Sequence, residues 1–136
     1  MGRILGVDYG ESRIGLALSD ASKTIAFPFK TIKNKNINFL LDLFKKLCSE
    51  KNIESVVIGL PLGMNGKDTH QTKNVRIFSK SIGILGLPIF FQDERLTSIS
   101  AKKFLIKQKI KTGHNKDKID EIAATIFLQQ FLDMNN

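Results

Sequence analysis

At 136 residues, 42% of them hydrophobic, the chain suffices for one domain, residues 1 to 136, burying roughly two thirds of the surface it exposes when unfolded. Its formal charge of +8, from 21 Lys+Arg against 13 Asp+Glu, favours a polyanionic partner such as nucleic acid, although a lysine-rich composition yields basicity without any binding role. The longest uncharged run, Ser81 to Gln92, is short of a membrane span and broken by Gly86 and Pro88, and Asp8 cuts the apolar opening too early for a signal peptide; a cytoplasmic protein with no membrane partner is expected.

Residues 3 to 8, 13 to 19 and roughly 24 to 32 read as three strands of an antiparallel meander, joined by Gly10-Glu11-Ser12 and Asp20-Ala21-Ser22. Ile37, Leu40, Leu41, Phe44, Leu47 and Cys48 recur at helical spacing from about residue 36 to 51, which makes the lone Cys48 a buried thiol with no disulfide partner. Ser55 to Gly59 lacks polar alternation, as an interior parallel strand should. The loop GLPLGMNGKD precedes a helix over about 70 to 83, and Pro88 to Gln92 forms another short strand. Thr97 or Ser98 caps a helix running to about Lys107, and the polar stretch 108 to 116 reads as a loop. A last helix over about 117 to 132 buries Ile119, Ile122, Ala123, Ile126 and Phe127. The order implies an α/β fold with a five-stranded mixed sheet, three antiparallel strands and then two parallel ones, flanked by helices.

Chemistry concentrates in acids. Asp8 ends an apolar strand between Gly6 and Gly10, where an ionised side chain disfavours the strand unless it forms a turn or serves a site. Glu94 in FFQDERLT and Asp120 in KDKIDEIAA reach the same sheet edge, where open α/β sheets bind ligands. Period-two geometry sends Asp93 and Glu94 to opposite faces, so one of them joins Asp8; Glu94 is favoured and Asp93 stays open. Asp120 also suits the first turn of a helix as a dipole partner. Carboxylates about 4 Å apart at an effective dielectric of about 20 repel by roughly 4 kcal/mol, and a hard cation such as Mg²⁺ or Mn²⁺, or a pair of them, relieves this. Two such ions would position a water and stabilise the leaving oxygen of a phosphodiester. Gly59, Gly63 and Gly66 suit either close approach to a phosphate or a plain turn, with Asn65 and Lys67 as contacts, and Lys116 and Lys118 flank the Asp120 segment. Asp20 reads as a turn residue, Asp42, Glu50 and Glu54 as solvated surface, and His70 and His114 as isolated.

The blocks LGVDYGESRIGLALSD, GLPLGMNG, DERLTSISA and IDEIAATIFLQQFLD closely resemble the YqgF family, also called RuvX, in order and over nearly the whole chain. The resemblance implies the ribonuclease H-like fold and a nuclease that matures the 5′ end of the 16S ribosomal RNA precursor or resolves Holliday junctions. It implies Asp8, Glu94 and Asp120 as metal-binding catalytic acids, with Arg13, Arg95 and Thr97 supporting the site. Where RuvC-type resolvases carry an acid, this chain has Gly59-Leu60-Pro61. Structured RNA or branched DNA is the expected partner, and a homodimer engaging a symmetric substrate stays open. Two readings compete with the enzyme: a silent nucleic-acid-binding module, and an actin-like or sugar-kinase ATPase, which a chain this short disfavours.

Overall fold

The computed structural model describes residues 2 to 94 and 116 to 135. Strands β1 (Arg3–Tyr9), β2 (Arg13–Ser19) and β3 (Ala26–Lys33) form the antiparallel meander. The β2–β3 link is built around Asp20, whose carboxylate accepts hydrogen bonds from the Ser22 hydroxyl and from the backbone N–H groups of Thr24 (2.8 Å) and Ile25 (3.0 Å). Those donors make Asp20 the turn residue its position suggests. Pro28 sits in β3, an edge strand, where the register shifts and a proline costs the ladder least.

Helix α1 (Ile37–Glu50) starts at Asn36, whose side chain accepts from the Phe39 N–H at 2.9 Å, and it buries Leu40, Phe44 and Leu47 against the sheet. Strand β4 (Ile53–Leu60) is buried from Ser55 onward on both faces, which explains its unbroken apolar pattern. Helix α2 (His70–Ile82) opens with a reciprocal capping box between Thr69 and Thr72, and one 3-10 turn (Gly83–Leu85) leads to β5 (Ile89–Asp93). Helix α3 (Lys116–Met134) closes the described chain. The helix expected over 97 to 107, His114 and all but the last residue of the loop expected over 108 to 116 lie outside the described residues; Lys116 itself opens α3.

The sheet order is β3-β2-β1-β4-β5, with β1, β4 and β5 parallel. Helices α1 and α2 cover one face, over a core that includes Leu5, Val7, Ile58, Phe44 and Phe78. Helix α3 covers the other, packing Ala124, Phe127, Leu128 and Leu132 on Ile4, Ala17 and Val57. Alternation along β1 therefore gives Gly6 and Asp8 to the α3 face, and Tyr9 to the α1/α2 face. Three burial expectations need correction. Cys48 is half-buried rather than buried, its thiol still pushed up by partial burial, and Ile119 and Ile126 are half-buried at the margin of the α3 stripe. No described helix is long and apolar enough to cross a membrane.

The Asp20 turn has a defined acid signature. The Ser22 hydroxyl and the Ile25 and Thr24 amides hold its carboxyl at about 2, below the ordinary 3.8, so its stabilisation is present above the unfolded value and is lost as pH falls through about 2. Asp20→Asn is expected to melt below the parent at pH 7, with the gap closing towards pH 2, as thermal unfolding followed by circular dichroism would record.

Candidate active site

The seating of α3 on the sheet organises the acids. Ala123 and Ala124 are buried and small, so the helix backbone comes down onto strands that offer glycine. A Cβ on Gly15 would run into the main-chain carbonyl of Asp120, and one on Gly6 would lie 3.0 Å from the Leu128 Cβ. Gly15 is the direct cross-strand partner of Asp8, and on its other side it pairs with Thr31. Directly opposed residues of an antiparallel pair share a face and have Cα atoms about 4.5–5.5 Å apart. Asp8, Gly15 and Thr31 thus form a row under the first turns of α3, and Asp120 enters one strand spacing from Asp8.

Two ties anchor that helix start. Arg13, at the head of β2, donates from Nε to Asp120 Oδ2 at 2.7 Å, with both side chains partly exposed. Thr31 donates from its hydroxyl to Glu121 Oε2 at 3.3 Å. Glu121 is only 5% exposed and was not singled out in the sequence, although its seven-residue spacing to the buried Leu128 would have flagged it as facing the sheet.

Strand β5 sets the face of Asp93. Phe90 stacks on Phe131 of α3 with ring centroids 5.5 Å apart, and Gln92 Nε2 lies 3.6 Å from Met134 Sδ, so both face α3. Phe91 lies under Arg76 of α2, and Asp93 pairs with Leu60, whose side chain belongs to the α1/α2 core. Asp93 therefore shares the far face, and Glu94 is half-buried just past the strand, where the alternation ends.

In the glycine-rich loop, packing accounts for Gly59 and turn geometry for Gly63 and Gly66. A Cβ at Gly59 would stand 2.7 Å from the Phe127 ring, so that glycine makes room for an aromatic side chain of α3 and not for a ligand. Gly63 and Gly66 close a tight turn, Gly66 at φ +80°, and Asn65 Oδ1 accepts from the Lys67 N–H at 3.0 Å, so its oxygen serves the loop itself. Lys67 is exposed at the same rim. Asp68 is gripped by Arg76 through two hydrogen bonds of 2.7 and 3.0 Å, which hold its carboxyl below the usual range. Arg95 and Thr97, and the side chains of Lys116 and Lys118, lie outside the described residues.

Among the described residues no three His, Cys, Asp or Glu side chains gather at metal-ligand spacing. Asp8 lies in β1, Asp120 near the start of α3 and Glu94 just past β5. The donor chemistry nonetheless suits a hard divalent cation, since carboxylate oxygens are what Asp8 and Asp120 bring to the row beneath α3.

A family profile described as RuvX, Holliday junction resolvase, matches residues 2 to 134. The chain belongs to the RuvX family. It is 41% identical over 133 residues to a protein of Roseiflexus sp. (strain RS-1) named "Putative pre-16S rRNA nuclease", covering 97% of this chain and 94% of that one. A protein of the same name from Caldanaerobacter subterraneus subsp. tengcongensis is 40% identical over 133 residues, covering 96% of each chain. The RuvX chain also superposes on T. thermophilus RuvC, solved in complex with Holliday junction substrate, at TM-score 0.66 and 12% identity, over 99% of this chain and 96% of that one. The fold is ribonuclease H-like, as the sequence resemblance implied.

Two substitutions test the RuvX site architecture. Gly15→Ala should cost about 1–3 kcal/mol in urea unfolding, because the added methyl meets helix backbone that cannot step aside. Arg13→Gln should cost no more than about 1 kcal/mol by the same measurement, since the ion pair it removes is partly solvated.

Proposed function

We propose that this RuvX chain is a metal-dependent nuclease that hydrolyses nucleic-acid phosphodiester bonds, acting in the cytoplasm on the 5′ end of the 16S ribosomal RNA precursor. The observation that carries the reading is the placement of Asp120 over Gly15, the cross-strand partner of Asp8, in a chain of this family. Resolution of Holliday junctions is the second reading, favoured by the family description and by the shared fold with RuvC.

In this reading Asp8, Glu94 and Asp120 hold Mg²⁺ or Mn²⁺, in one or two ions. Such ions supply Lewis-acid polarisation of the phosphate and a water activated at neutral pH. The chain's own groups do the rest. Asp8 presents its carboxylate at the carboxyl end of a rigid central strand, so its position is set by the sheet ladder and not by a loop. Arg13 orients Asp120 through Nε and adds positive charge where a phosphate approaches. Arg95, Thr97, Lys116, Lys118, Asn65 and Lys67 are the further contacts assigned to the nucleic acid.

Asp8→Asn preserves shape while removing the charge. Purified protein carrying it should cleave a structured RNA spanning the 16S precursor terminus at least 10- to 100-fold more slowly than the parent in Mg²⁺ or Mn²⁺, the loss typical of even an indirect contributor to a metal site. A four-way DNA junction assayed in parallel separates the two readings. Full cleavage by Asp8→Asn would remove the proposal, and salt-sensitive RNA binding that survives EDTA with no cleavage of either substrate would favour a binding module.

A further inference from the structure

Two cavities flank the rim of the sheet outside the acidic row, and they share a wall. One, of about 660 Å³, runs along the ends of β2 and β3 and is lined by Arg13, Thr31, Lys33 and Lys35 with Ser12 and a single acid, Glu11. Two of its lining residues, Arg13 and Thr31, are the ones bonded to Asp120 and Glu121, so the groove adjoins the candidate active site through them. The other, of about 310 Å³, lies on the α1/α2 face and is walled by Tyr9, Phe78, Ile77, Asn74 and Ser81. Asn34 and Lys35 line both.

The dividing ridge is firmly held. The Asn34 N–H donates to the Ser12 carbonyl at 2.9 Å, and its Nδ2 donates to the Gly10 carbonyl at 2.8 Å, which locks the β1–β2 turn to the ridge. Lys35 lies over the Phe39 ring with Nζ 4.7 Å from the centroid, and Tyr9 packs on Phe78 with centroids 4.5 Å apart. Gln71 Nε2 donates to the Tyr9 carbonyl at 3.1 Å and fixes the aromatic wall from α2. A positively charged groove beside an aromatic pocket, with one ridge between them, is an arrangement that tracks a single strand, cations following the backbone and a ring supporting a base. The smaller cavity, of about 310 Å³, sits at the low end of the roughly 300–1,000 Å³ typical of ligand sites, which suits one splayed base.

We propose that these adjoining cavities take one unpaired nucleic-acid strand, its phosphates along Arg13, Lys33 and Lys35 and one base against Tyr9, which the buried Phe78 backs. The proposal builds on the nuclease reading and narrows its substrate to nucleic acid that is single-stranded beside the cleavage point. The Asn34, Asn74 and Ser81 polar groups lie where the base edge would be hydrogen-bonded, and the pocket carries no cation apart from the shared Lys35.

The test uses fluorescence anisotropy in EDTA, so that cleavage does not enter, with a labelled 10-nucleotide single-stranded RNA and a blunt duplex of the same sequence. The parent should bind the single strand at least 5-fold more tightly than the duplex. Ser81→Leu, which fills the pocket from a helix surface, should weaken the single strand by about 5- to 150-fold, the worth of one stacked base, and leave the duplex unchanged. Asn74→Leu should do the same. Lys33→Gln with Lys35→Gln should lower the salt slope of single-strand binding by about 1.4, about 0.7 for each phosphate no longer neutralised. Equal affinity for duplex and single strand, or an unaltered single-strand affinity in both pocket-filling variants, would overturn the proposal. Strand preference that depends on the pocket, in a protein whose cleavage ignores Asp8, would uphold the track and sink the nuclease reading alone.

Discussion

The close seating of α3 on Gly15 is the constraint from which the rest of the molecule follows. A helix normally stands well off a sheet because side chains hold the two apart. Here two alanines on the helix and glycines on β1 and β2 let backbone meet backbone. The consequence is chemical as well as steric. The glycine that admits Asp120 is the one paired with Asp8, so the packing contact that stabilises the layer also sets the spacing of two carboxylates. Phe127, two turns along, wedges over Gly59 on the neighbouring strand and fixes the helix against sliding.

Charge at this rim is arranged in opposition. Asp8, Asp120 and Glu121 lie close to one another in a chain of net charge +8, and Arg13 and Thr31 engage the two acids of the helix. An exposed pair such as Arg13 and Asp120 contributes little to stability, so its value lies in holding a carboxylate in one orientation. The basic residues Lys33 and Lys35 lie farther along the same edge, outside the acidic row.

The parallel run of β1, β4 and β5 brings three loop-bearing strand ends to one edge, where backbone polar groups are free of the ladder and function can be added without cost to the core. Loop residues there are disciplined by local bonds: Asn65 braces its own turn, Asp68 is clasped by Arg76, and the Thr69–Thr72 box starts α2. Rigid surroundings of this kind keep a cleft shaped before a ligand arrives.

Sequence patterns determined the identity and bounds of the described elements to within two residues or so, because strand alternation, helical periodicity and capping are written in contiguous residues. They also marked Asp8, an acid in an otherwise apolar strand, and Asp20, a turn acid. Tertiary structure decided which groups face one another. Gly59 was legible as a special position, yet only packing showed that it admits Phe127 and not a phosphate. Helical spacing turns Glu121 towards the sheet, but only packing gave it Thr31 as a partner, and only the pairing of β5 with β4 set Asp93 on the face of Leu60. The Arg13–Asp120 contact joins residues 107 positions apart, a separation across which no local rule acts, since it exists only once two layers have been pressed together by their apolar faces.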